Sequence, residues 1–132
     1  MKGKSLEEIL ERIRTIRFEE EFDLLVAVAN GGIIPAALLN QRLQLELQLL
    51  KLNFRGTDRQ PLYDSPRLLE ELSFKVKGRK ILLVEDRIKT GATVACARQL
   101  LAEAALIRTF AVNGEADYCL YNEACFRFPW IL

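Results

Sequence analysis

Leu6, Ile9, Leu10, Ile13 and Ile16 recur at the spacing of one helical face, directly after the capping-box sequence Ser5-Leu6-Glu7-Glu8. That pattern predicts a helix over about 5–17. Phe22-Asp23 leads into Leu24 to Ala29, a continuous apolar run, as expected of a central parallel strand buried on both faces. Asn30-Gly31-Gly32 interrupts it, and Pro35 suits the first turn of a helix over about 34–43. Leu45-Glu46-Leu47-Gln48-Leu49 alternates apolar and polar and continues to Asn53 as a second strand. Residues 55–64 contain Gly, Pro and charge without a period, which predicts a mobile loop. Ser65-Pro66 before Arg67-Leu68-Leu69-Glu70-Glu71-Leu72 predicts a short capped helix. Gly78 precedes an apolar strand over 80–85, followed by a helix from Ala92 to Glu103 and a strand from Leu106 to Val112. Tyr118 to Tyr121 offers a last short strand, and Cys125 to Trp130 an aromatic tail.

This strand–helix alternation predicts an α/β fold: a doubly wound, largely parallel sheet flanked by helices. At 132 residues the chain is expected to be one domain, spanning 1–132 and large enough to bury its own core. A net charge of +1 gives no reason to expect nucleic acid or a membrane surface as partner. No apolar run approaches transmembrane length, and the N-terminus leads into an amphipathic helix instead of a signal-peptide core. A cytoplasmic protein is therefore expected. The chain has no histidine, which excludes Ser-His-Asp and Cys-His catalysis and any His-ligated metal. Cys96, Cys119 and Cys125 have no CxxC spacing, so a metal must be held by oxygen, and magnesium is the expected ion.

The chemistry concentrates in Ile81-Leu82-Leu83-Val84-Glu85-Asp86-Arg87-Ile88-Lys89-Thr90-Gly91-Ala92-Thr93. A buried strand here ends in two acids, and a Thr-Gly-Ala-Thr turn opens a helix. Backbone N–H donors at a helix start favour a phosphate, whereas adjacent carboxylates suit sugar hydroxyls or a metal. A sugar phosphate answers to both. Asn30-Gly31-Gly32 is a second place where backbone approaches an anion closely, although it lacks the Lys-Ser/Thr ending of a P-loop. Lys80 to Asp86 also has the look of a receiver-domain opening strand, but only 46 residues follow Asp86, too few to complete that fold.

The run 81–93 resembles the phosphoribosyl pyrophosphate (PRPP) signature of type I phosphoribosyltransferases, and Val28 to Pro35 resembles their pyrophosphate loop. The resemblance extends from Asp23 to Trp130. It implies transfer of a 5-phosphoribosyl group from PRPP to a nucleobase, with magnesium, in nucleotide salvage by a homodimer. Glu85 and Asp86 would hold the ribose hydroxyls and magnesium, Lys89, Thr90, Gly91, Ala92 and Thr93 the 5′-phosphate, and Asn30, Gly31 and Gly32 the pyrophosphate. The family often makes the pyrophosphate loop with a non-proline cis peptide.

Two departures stand out. Asn30 occupies a position that is often basic in the family, and Lys89 one that is an Asp in several purine-using members. They keep open an alternative, a non-catalytic PRPP- or nucleotide-binding regulator of the same fold. The ending Phe126-Arg127-Phe128-Pro129-Trp130 resembles the C-termini of small xanthine-guanine-type members. Phe126 and Trp130 are thus either base-stacking residues or a hydrophobic cover on the sheet edge, and a purine is slightly favoured as acceptor. Arg55, Arg59, Arg67 and Lys51 are candidates for pyrophosphate contact from the loop and its borders.

Overall fold

The computed structural model describes residues 3–53, 67–68 and 72–132. Along the chain run α1 (Leu6–Thr15), β1 (Leu24–Ala29), α2 (Ile33–Leu43), β2 (Glu46–Asn53), β3 (Arg67–Leu68), β4 (Lys80–Ile88), α3 (Ala92–Leu100), β5 (Leu106–Gly114) and β6 (Tyr118–Tyr121). The six strands form one sheet in the order β3-β2-β1-β4-β5-β6. All neighbours are parallel except the edge pair β2–β3. This is the expected doubly wound α/β fold.

Alternation along the central strands explains the two layers. Leu25 and Ala27 of β1 and Leu82 and Val84 of β4 face Ile9 and Ile13 of α1 and Ala36 and Leu39 of α2. Leu24, Val26, Val28, Ile81 and Leu83 point the other way, toward Ala97 and the α3-terminal Leu101. Both faces are covered, so β1 is apolar throughout. Ser5 caps α1 by accepting from Glu8 N at 3.1 Å, while the Glu8 carboxylate accepts from the Tyr121 hydroxyl and ties the helix to β6. Asp23 closes the base of the sheet: its carboxylate accepts from Arg79 Nε at 2.7 Å and from Lys80 N at 3.3 Å. The Arg79 bond holds the Asp23 carboxyl below its usual range.

Some boundaries differ from the expectation. Arg67–Leu68 is not helical but a two-residue strand, with Leu68 paired to Leu52 and Arg67 to Asn53. Its backbone bonds come from a distant partner strand, which outweighs the local Ser-Pro capping signal. That capping pair and the loop 55–64, with Arg55 and Arg59, lie outside the described residues. Helix α3 ends at Leu100 instead of Glu103, and Leu101 to Ala104 close it as turns. Strand β4 runs three residues past Glu85, because Arg87 and Ile88 pair with Asn113 and Gly114 of an equally lengthened β5.

The β5–β6 connection is short for a parallel pair, only residues 115–117. Asp117 makes it possible. Its Oδ2 accepts from Thr109 N at 2.8 Å, and its own N–H donates to Thr109 Oγ1 at 3.0 Å. Gly114, at φ +134°, starts the reversal in a space where a Cβ would stand 2.4 Å from Ile88 O.

Candidate active site

Chain order makes the site. From β1 the chain winds through α2 to β2 on one side, and β4 then occupies the other side of β1. The loops after β1 and β4 therefore flank a topological switch point, the place where open α/β sheets take ligands. The first of these loops is Asn30-Gly31-Gly32; the second is Lys89-Thr90-Gly91, between β4 and α3.

The β1 loop is built by close approach. Gly32 N donates to Val28 O at 2.7 Å and Ile33 N to Asn30 O at 3.1 Å, and the Ala29–Asn30 peptide is cis. A Cβ on Gly32 would stand 2.3 Å from Val84 O, so only glycine lets this turn nest against β4. A Cβ on Gly31 would stand 2.6 Å from Asp86 Oδ1. The glycines thus bring the β1 loop against the second acid of β4.

The two acids diverge. Alternation places Glu85 on the face of Leu83, toward α3, and Asp86 on the face of Val84, toward α2. Asp86 Oδ1 accepts from Arg87 N at 2.6 Å, and Glu85 Oε1 accepts from Asp86 N at 3.2 Å. Glu85 is pushed up to about 8, first by burial and then by the charge of Asp86. A carboxyl in that state gains from a cation or from hydroxyl donors. No third acid, cysteine or histidine joins the pair among the described residues. Two carboxyls fit magnesium, which keeps water and substrate oxygens in most of its coordination positions.

Glu85 opens onto a cleft of about 380 Å³, lined further by Arg87, Ile88, Lys89, Thr90, Gly91, Ala92, Thr93 and Val94. Gly91 adopts φ +82°, the left-handed turn that starts α3, and Ala92 N is bonded to Thr90 Oγ1 at 3.3 Å. Helix start, two threonines and the exposed Lys89 together face this cleft, a set of groups suited to a phosphate monoester. Lys51 lies exposed in β2, in register with Ala29 at the end of the pairing with β1.

The aromatic tail divides. Phe126 is 3% exposed and packs edge-on to Tyr121 and Phe128, so it is hydrophobic cover and has no free face for a base. Its alternation with exposed Arg127 puts it inward, onto the core of α1 and β6. Trp130 is half-buried and stacks on Phe128 at 5.1 Å. Arg87 ties this tail to the signature: its Nη2 donates to Phe126 O at 2.6 Å, and its guanidinium lies 4.5 Å from the Phe128 ring centre. Nothing in the sequence marks Arg87, because its partners Phe126 and Phe128 lie 39 and 41 residues further on. Only the fold brings the tail to it.

Among the described residues, no helix is long and apolar enough to cross a membrane. Residues 3–112 match the family model of the phosphoribosyl transferase domain. A xanthine-guanine phosphoribosyltransferase of Chromohalobacter salexigens is 31% identical over 118 residues, covering 85% of this chain and 70% of that protein. An orotate phosphoribosyltransferase of Sulfurisphaera tokodaii is 29% identical over 92 residues, covering 70% of this chain but only 40% of that protein. Among solved structures, a purine phosphoribosyltransferase of Pyrococcus horikoshii superposes with a TM-score of 0.79 at 20% identity, over 97% of this chain and 91% of that one.

Proposed function

The chain belongs to the phosphoribosyl transferase domain family, whose reaction class is PRPP-dependent pentosyl transfer, and from that premise we propose that it moves a 5-phosphoribosyl group from PRPP to a nitrogenous base. The C1′–O bond breaks and its electrons leave with pyrophosphate, while a ring nitrogen of the base supplies the pair for the new C1′–N bond. A purine is the favoured acceptor, in keeping with the tail resemblance and with the xanthine-guanine relative. The orotate relative keeps pyrimidines in the test panel.

The observation that carries this reading is the division of the acid pair between two loops. Glu85 opens on the cleft of the Thr90–Thr93 turn, and Asp86 lies against Gly31. PRPP has the matching layout, with a 5′-phosphate at one end, pyrophosphate at the other and ribose hydroxyls between. Lys89, Thr90, Gly91, Ala92 and Thr93 would bind the 5′-phosphate, and Asn30, Gly31 and Gly32 the pyrophosphate. Glu85 and Asp86 would orient the ribose and hold magnesium, which when bound neutralises charge on the leaving group. Negative charge beside C1′ favours its cationic transition state, so positioning and electrostatics perform the catalysis. A homodimer, the usual assembly of the family, is part of this proposal, and light scattering on the purified protein tests it.

One observation favours a second reading. Lys89 lines the cleft where several purine-using members place an Asp for proton handling. A protonated lysine cannot accept the proton that the base gives up, which suits a PRPP- or nucleotide-binding regulator. Pyrophosphate release with magnesium, PRPP and a panel of purine and pyrimidine bases separates the two. Release with one base establishes the transferase and names its acceptor. PRPP binding without release from any base establishes the regulator.

A further inference from the structure

We propose that Arg87 is a specificity-determining residue, reading an oxo or anionic edge of the heterocycle attached to C1′ and disfavouring an amino edge. The inference rests on the site proposed above and adds a residue to which no role has been given.

Arg87 stands between two spaces. It lines the phosphate cleft and also a second cleft of about 310 Å³ that shares Arg87, Ile88 and Lys89 with the first. A ligand with its phosphate on the Thr90–Thr93 turn and its ribose at Glu85 can extend a ring past this shared wall. The second cleft continues to Asn113, Asn122 and Glu123.

The wall is positive. Arg87 and Lys89 supply two cations, and Glu123 is neutralised by Lys4 at 2.9 Å. Asn113 is spent internally: its Nδ2 donates to Glu123 O at 3.2 Å and its Oδ1 accepts from Glu123 N at 3.0 Å. Its side chain therefore holds the tail turn, and Arg87 is the partly buried cation of this wall, beside the exposed Lys89 and Asn122. Carbonyl and anionic oxygens are acceptors for such a wall, whereas an exocyclic amine brings donors against donors.

Arg87 is also pre-organised. The bond to Phe126 O and the seat on the Phe128 ring fix its plane. Its Nε is buried and has no hydrogen-bond partner among the described residues. A donor left unpaired in this way is a cost to the fold, so packing alone is a poor account of an arginine here.

The test uses equilibrium binding, which does not require turnover. Ribose 5-phosphate, xanthosine 5′-monophosphate and adenosine 5′-monophosphate are titrated into the wild type and into Arg87→Met. The wild type is expected to bind the xanthosine nucleotide about tenfold or more tightly than the adenosine one, equivalent to about 1.4 kcal/mol. Arg87→Met is expected to erase that preference, weakening the xanthosine nucleotide about tenfold more than either ribose 5-phosphate or the adenosine nucleotide. Equal affinities in the wild type, or a preference that survives in the variant, overturn the role of Arg87 alone. A wild type that ignores ribose 5-phosphate overturns the site itself, and this inference with it. Should Arg87→Met not fold, Arg87→Lys keeps the charge without the planar fork: a reduced preference supports the proposal, and an intact one overturns it.

Discussion

The backbone of Gly31 lies against the carboxylate of Asp86, so close that a Cβ on Gly31 would stand 2.6 Å from Oδ1 and 2.9 Å from Oδ2. The two residues are brought together by the parallel pairing of β1 and β4. Gly31→Ala must therefore displace the carboxylate, since the backbone of the loop is held by Gly32 and Ile33. Calorimetric titration should show magnesium–PRPP affinity at least about tenfold weaker, or about 1.4 kcal/mol. Thermal unfolding should move little. An unchanged affinity would separate Asp86 and the glycine loop from the ligand.

The neighbouring glycine makes the control. A Cβ on Gly32 meets backbone, Val84 O at 2.3 Å and Val28 O at 2.8 Å, and neither strand can yield without losing its pairing. Gly32→Ala should cost stability, on the order of 3 kcal/mol, seen as a lower denaturant midpoint. Two adjacent glycines thus separate a binding defect from a folding defect.

Glu85 gives the site a pH dependence. Its carboxyl is pushed up to about 8 by burial and by Asp86, so the folded state holds a proton that the unfolded chain releases near its ordinary pKa of about 4.3. Between those values the folded state binds more protons, so stability falls as pH rises through the window and levels off above it. Glu85→Gln is neutral throughout. Its stability relative to the wild type should grow from pH 5 to pH 8, by on the order of 3 kcal/mol. In the wild type, magnesium–PRPP affinity should climb over the same window, because a cation favours the ionised pair. Denaturation curves at pH 5 and pH 8 that differ equally for both proteins would contradict this.

The signature was legible because its chemistry is local. An apolar strand, two acids and a Thr-Gly-Ala-Thr turn are consecutive, and a helix start needs no distant partner to present its N–H groups. The apolar runs of β1 and β4 were equally local and marked both as buried strands. What could not be read came from tertiary pairing. Arg67–Leu68 is a strand only because Leu52 and Asn53 lie beside it. Polar Glu85, Asp86 and Arg87 continue β4 because β5 supplies partners as far as Gly114. Phe126 and Trp130 have similar surroundings in sequence, and only the packing against Tyr121 decides that the first is core.

The phosphate turn has its own test. Thr93 lines the cleft at the first turn of α3, and the exposed Lys89 lines it from the preceding loop. Thr93→Ala should weaken a nucleoside 5′-monophosphate by about tenfold, as expected for one lost hydrogen bond to a charged group. Lys89→Ala should matter mainly at low ionic strength, because an exposed charge is screened over about 8 Å in physiological salt. Titrations at two salt concentrations distinguish them: the Thr93 effect persists, while the Lys89 effect fades. A Thr93 variant that binds as the wild type does would move the phosphate elsewhere.

Asp117 governs whether the tail reaches the site at all. Three residues connect β5 to a parallel β6, and Asp117 Oδ2 gathers Thr109 N at 2.8 Å, Thr109 Oγ1 at 3.1 Å and Arg98 Nη2 at 3.1 Å. Thr109 is only 4% exposed, so removing the acceptor leaves a buried N–H unpaired. Asp117→Ala should therefore cost about 2–3 kcal/mol, and Asp117→Asn, which keeps an acceptor, about half as much. The loss should be local before it is global: β6 amides at 118–121 should exchange faster, while those of β1 and β4 keep their protection. Because Arg87 is held by Phe126 and Phe128 beyond β6, the Ala variant should also lose any preference among bases that Arg87 confers. Unaltered exchange at 118–121 would mean that the pairing of Phe110 with Tyr118 and of Ala111 with Cys119 sustains the register without Asp117.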